Sequence, residues 1–166
     1  MEKPTSHLEL GQMLRLAGSI IVCQVAGGIG SLYTAPAIPE WYSSLRKPAF
    51  TPPNEVFGPV WGTLYLLMGI SLYLIVRRGW GGRVEGAALA AFAAQLFCNV
   101  LWSVLFFGRE SPFLGLIDIT ILLALIAVTI DISWRVSKGA AILLVPYFLW
   151  VAFAAALNYS IWRMNP

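Results

Sequence analysis

Residues 119–130 run for about three helical turns without a charged side chain, and the chain holds five stretches of this character. They lie near residues 13–33, 56–76, 85–107, 112–134 and 140–162. A helix needs about 20 mostly apolar residues to cross a bilayer, and each stretch meets that length. Barrel strands would alternate polar and apolar side chains over about ten residues, and these runs do not alternate. Lipid offers the backbone no hydrogen bonds, so long apolar runs become helices. A soluble alternative fails on composition. Of 166 residues, 58% are hydrophobic and 11% charged, where a globular domain carries about 25% charged residues. The expected architecture is therefore an all-α, multi-pass membrane protein: one domain over residues 1–166, built as a five-helix bundle.

The formal charge is +3 and the isoelectric point about 9.1. Its basic residues sit mostly at span ends, as membrane topology requires, so nucleic acid is not an expected partner. One side collects Lys3, Arg15, Arg77, Arg78, Arg83, Arg135 and Lys138; the other collects Arg46, Lys47, Arg109 and Arg163. The richer side is expected to face the cytoplasm, together with the N-terminus. Cys23 and Cys98 fall inside spans and read as small buried hydrophobes rather than a disulfide. His7 is the only histidine, in the polar N-terminal tail, so no metal site is expected. That tail lacks a basic segment leading at once into an apolar run, so the first span is expected to be retained.

The connection at residues 34–54 differs from the rest. It contains Pro36, Pro39, Pro48, Pro52 and Pro53 among Trp41, Tyr42 and Phe50. Proline removes donors and fixes φ, so no helix of any length is expected there. Disordered segments are poor in aromatics, which favours a structured lid over a plain connector with interfacial rings. The other connections are short, and successive helices are expected to be antiparallel neighbours.

Polar side chains inside lipid-crossing helices are costly and turn inward. Gln95, Asn99 and Trp102 share one helical face. Tyr147, Trp150, Ala154 and Asn158 repeat the pattern, and Trp61 and Tyr65 stand one turn apart beside Gly58 and Gly62. Two readings stay open: a cavity with aromatic walls and a few hydrogen-bonding groups, or amides that tie neighbouring helices together. Trp80, Trp134 and Trp162 lie at span ends and read as interfacial anchors. Asp118 falls inside the fourth span, as a proton carrier, a partner for Arg109, or a structural hydrogen-bonding group, the last being preferred. Asp131 lies nearer a span end and reads as solvated. Gly86, Ala90 and Ala94 form a small-residue line suited to a homodimer or to packing within the monomer. Leu157, Tyr159 and Arg163 fit a loose sterol-contact pattern.

Several of these segments together resemble the translocator protein family, also called tryptophan-rich sensory protein or peripheral-type benzodiazepine receptor. Residues 41–53, WYSSLRKPAFTPP, are similar to its first loop, and residues 56–65, VFGPVWGTLY, to the opening of its second helix. Gln95, Asn99, Trp102 and the triplet Phe106, Phe107, Gly108 resemble its third helix. Residues 146–150, PYFLW, with Phe153, Ala154, Leu157, Asn158 and Tyr159, resemble its fifth. The resemblance covers nearly the whole chain, in order. It implies a five-helix bundle, often dimeric, whose first loop caps a ligand pocket. It implies ligands that are porphyrins or haem-like tetrapyrroles, sterols, and benzodiazepine-type drugs, with no obligatory cofactor. The positions matching family pocket residues are Tyr42, Pro52, Trp61, Tyr65, Asn99, Trp102, Trp150 and Ala154. Trp61 and Trp150 match a pair linked to light-dependent porphyrin breakdown. Phe50 departs from the family, where tryptophan is frequent. The function so implied is a membrane receptor or transporter for porphyrins and other lipophilic ligands. The alternatives are a light-dependent porphyrin-degrading enzyme and a proton-coupled exporter of lipophilic compounds.

Overall fold

A computed structural model of the chain describes residues 5–79 and 81–165, with side chains from Glu9 onward. Lys3, Trp80 and the His7 side chain lie outside the described residues. Five helices account for the fold: α1 (Thr5–Ala37), α2 (Asn54–Val76), α3 (Arg83–Ser103), α4 (Pro112–Val136) and α5 (Lys138–Met164). Each is long and apolar enough to cross a membrane. Their outer faces carry unshielded apolar side chains, including Leu32 at 72% exposure and Phe97 at 67%. Such a surface belongs in lipid, and the chain is an integral, multi-pass membrane protein.

Helix ends follow local chemistry. Ser111 accepts a hydrogen bond from the Leu114 N–H (3.3 Å) to open α4, with Pro112 supplying a preset φ in the first turn. Ser137 accepts from the Ala140 N–H (3.4 Å) and is the whole connection between α4 and α5. Two π-helical turns extend the bundle at the opposite end, Ile38–Tyr42 after α1 and Val104–Gly108 after α3.

The first of these turns corrects the expectation for residues 34–54. The helix does not stop before Pro36; it runs through Ala37 and the π turn, and residues 43–44 are still helical. Each proline removes only one N–H, and nearby hydroxyls cover carbonyls of these turns. Ser43 donates to Pro39 O (2.7 Å) and Glu40 O (2.8 Å), and Ser44 donates to Trp41 O (2.7 Å). Only residues 45–53 are non-helical.

Around the bundle the helices follow the order α1, α2, α5, α4, α3, which returns to α1. Hence α2 and α3, though joined by a short turn, meet only marginally, contrary to the expectation that successive helices are neighbours. What places α1 tightly on α2 is Gly69: a Cβ there would come within 2.6 Å of the Ile20 Cα. The central packing is made by Met68, Phe92, Ile119, Leu122, Ile126, Leu144 and Tyr147, all buried.

Candidate functional site

Near the lid end the bundle does not close, leaving a cavity of about 620 Å³. Its floor is set by Asn99 of α3. The amide oxygen of Asn99 accepts from the Tyr65 hydroxyl, and its Nδ2 donates to the Tyr147 hydroxyl (2.9 Å). One amide thus joins α2, α3 and α5 with both its ends committed. Tyr147 lies fully buried beneath the floor, outside the lining.

Above this floor the walls are indoles. Trp61 packs on Tyr65 with ring centroids 5.6 Å apart. Trp150 meets Phe57 edge-on at 5.9 Å, and Trp102 stacks on Phe106 at 5.0 Å. The Trp102 N–H donates to Asn158 Oδ1 (3.1 Å), while Asn158 Nδ2 donates to Pro112 O (2.7 Å). Trp102 is therefore held in one orientation by a side chain tied to the start of α4. The Trp150 N–H differs: it is buried with no partner among the described residues. Glu55, exposed in the first turn of α2, is the only charged side chain of the wall among the described residues.

The lid lies at this end and is clasped to α5, while none of residues 45–53 lines the cavity. Asn165 accepts from the Arg46 N–H (3.0 Å) and donates to Arg46 O (2.9 Å), a two-bond clasp of side chain on backbone. The ammonium of Lys47 sits over the Tyr42 ring, 4.7 Å from its centroid, and Phe50 meets Phe153 at 6.2 Å. Phe50 thus keeps the aromatic character of its position through this steeply inclined ring contact.

Tyr42, Trp61, Tyr65, Asn99, Trp102, Trp150 and Ala154 all line the cavity. Pro52 does not; it stands in the lid away from the wall. Gln95 also stays outside, buried at 1% exposure with both amide atoms unpartnered among the described residues. Asn99 and Asn158 do what both open readings proposed, lining the cavity and tying helices together. Asp118 is buried but makes neither the expected structural hydrogen bond nor an ion pair with Arg109 among the described residues. Asp131 is exposed and pairs with Arg135 (3.0 Å). Leu157 turns inward to the cavity whereas Tyr159 and Arg163 face outward, so the sterol-pattern residues do not share a surface. Residues two apart on a helix point to nearly opposite sides, which a linear pattern ignores.

Sequence reasoning missed the contribution of α1. Gly27, Gly28, Gly30 and Ser31 form the α1 flank of the cavity, with Gly27 against the Tyr65 ring and Gly30 against Ser103. Gln24 bridges the two helices by donating to Gly62 O (3.2 Å). The four small residues Gly27, Gly28, Gly30 and Ser31 were the available signal, since small side chains leave room beside a helix axis. Phe57, Phe106, Phe107 and Ile161 were likewise missed as lining residues.

Comparison with known proteins agrees with this architecture. The TspO/MBR family model matches residues 19–163. The tryptophan-rich protein TspO of Archaeoglobus fulgidus is 42% identical over 92% of this chain and 98% of its own length. The translocator protein of Bos taurus is 38% identical over 89% of this chain and 88% of its own. The tryptophan-rich sensory protein of Cereibacter sphaeroides is 34% identical over 76% of this chain and 77% of its own. With its five spanning helices and this agreement along nearly its full length, the chain belongs to the TspO/MBR family.

Proposed function

We propose that this protein is a membrane receptor or carrier that binds porphyrins and haem-like tetrapyrroles beneath its lid. The same space would admit other lipophilic ligands, among them sterols and benzodiazepine-type drugs. The observation that carries this reading is a cavity of about 620 Å³ walled by Trp61, Trp102 and Trp150. That volume is in the range of about 300–1,000 Å³ used for drug-sized ligands. Indole faces suit a flat conjugated ring, and the wall is nearly free of charge. The names of relatives, sensory protein and translocator protein, agree with a receptor role.

Tryptophan fluorescence titrated in detergent tests it. Protoporphyrin is expected to quench saturably at one equivalent, with cholesterol competing more weakly. Quenching that rises without saturation, as for simple partition into the micelle, would count against the reading.

A second reading, light-dependent porphyrin breakdown, is favoured by Trp61 and Trp150 both lining the cavity. Under illumination, Trp61→Phe with Trp150→Phe should slow pigment loss more than it weakens binding. Sustained consumption of excess porphyrin would support an enzyme, and arrest after one equivalent would support a receptor. The exporter reading rests on Asp118, which stands outside the cavity; the carboxylate on the wall is Glu55, exposed in the first turn of α2.

A homodimer through α3 belongs to the same proposal. Gly86 and Ala90 lie on its exposed face, with Ala94 partly covered beside them. Replacing Gly86 and Ala90 by Leu should shift the particle mass toward the monomer in light scattering. An unchanged mass would remove α3 as the contact.

A further inference from the structure

A second concave site lies outside the central cavity, between the end of α1 and the corner joining α3 to α4. Its volume is about 290 Å³, and it shares only Phe107 with the larger cavity. That is at the lower limit of about 300 Å³ for drug-sized ligands and suits a headgroup. We propose that it binds the ammonium group of a membrane amphiphile.

Three aromatic rings form its wall: Tyr33, Trp41 and Phe107. Tyr33 lies against Gly108, where a Cβ would approach the ring to 2.9 Å, so the corner's glycine is what lets the ring settle there. Trp41 meets Phe107 edge-on at 6.2 Å. Aromatic faces attract alkylammonium groups through the ring quadrupole. Two carboxylates, Glu40 and Glu110, line the same groove. Neither has an ion-pair partner among the described residues, where Arg135 with Asp131 is the sole pair. The lid's Lys47 is committed elsewhere, over the Tyr42 ring and donating to Leu45 O (3.1 Å). Rings and negative charge together select a cation and repel phosphate or carboxylate.

The source of that cation follows from position. Leu32, 72% exposed on the lipid-facing side of α1, forms one edge of the groove. The groove therefore opens where acyl chains give way to headgroups. An amphiphile can lay its chain along Leu32 and place a choline or ethanolamine group between the rings and the carboxylates.

The full chain labelled with 5-fluorotryptophan, in a maltoside detergent, provides the test. Its Trp41 fluorine signal is assigned by Trp41→Phe. Dodecylphosphocholine is expected to shift that signal saturably, while dodecyl phosphate and matched sodium chloride do not. The surface pair Glu40→Gln with Glu110→Gln, which keeps both side-chain shapes, should weaken the response by about tenfold. Tetramethylammonium should bind more weakly than the amphiphile. An unchanged midpoint in the double variant, or an equal shift by dodecyl phosphate, would overturn the ammonium site. Tetramethylammonium binding as tightly as dodecylphosphocholine would overturn the membrane source.

Discussion

Asn99 carries more of the site than any other single side chain. It satisfies two buried phenols at once, and both phenols belong to other helices. Replacing it by Leu keeps the volume but orphans Tyr65 and Tyr147. Interhelical hydrogen bonds in membranes average only about 0.6 kcal/mol, yet an orphaned buried polar group costs about 1–3 kcal/mol. Asn99→Leu is therefore expected to destabilise by about 2 kcal/mol in reversible unfolding, and Tyr65→Phe, which orphans only the Asn99 amide oxygen, by about half of that. Equal effects would show that the amide does not bridge. At this scale the sequence was informative. Trp61, Asn99, Trp102 and Trp150 stood out because polar and indole side chains at helical spacing in lipid have few places to go. Gln95 shared that spacing and still misses the cavity. One turn along a helix moves a side chain about 5 Å deeper, and the pattern of one helix does not say where the hollow ends.

Among the elements, the lid and the α1–α2 contact depend on small local devices. The lid's backbone is clasped by Asn165, one residue beyond the last helix. Asn165→Ala should speed ligand release several-fold in stopped-flow quenching while leaving the unfolding midpoint nearly unchanged. A parallel loss of stability would mean that Asn165 supports the bundle rather than the lid. Gly69 allows α2 to touch the backbone of α1 at Ile20. Gly69→Leu forces them apart and is expected to cost about 1–3 kcal/mol, read by the same unfolding assay. The helices themselves were legible within a few residues, except at α1. Prolines 36 and 39 read as helix breakers, yet the chain widens into a π turn and lets Ser43 and Ser44 cover its carbonyls. That accommodation depends on hydroxyls placed three and four residues away, which composition does not reveal.

For the whole molecule, the ring order α1, α2, α5, α4, α3 gathers the aromatic faces of α2, α3 and α5 around one hollow. This order was not legible, because short connections suggest neighbours and only packing between helices decides otherwise. It also explains why α1 contributes glycines: the helix that closes the ring must leave the hollow open. The proposed function requires a flat, lipophilic ligand to occupy this hollow rather than the lipid-facing surface. Ala154 lines it and is nearly buried, so Ala154→Phe fills the space from within. Protoporphyrin absorbance titrated against parent and variant is the most direct measurement. One saturable site is expected in the parent and at least about tenfold weaker binding in Ala154→Phe, with the fold retained. Equal affinity in both would contradict it and place the ligand outside the bundle.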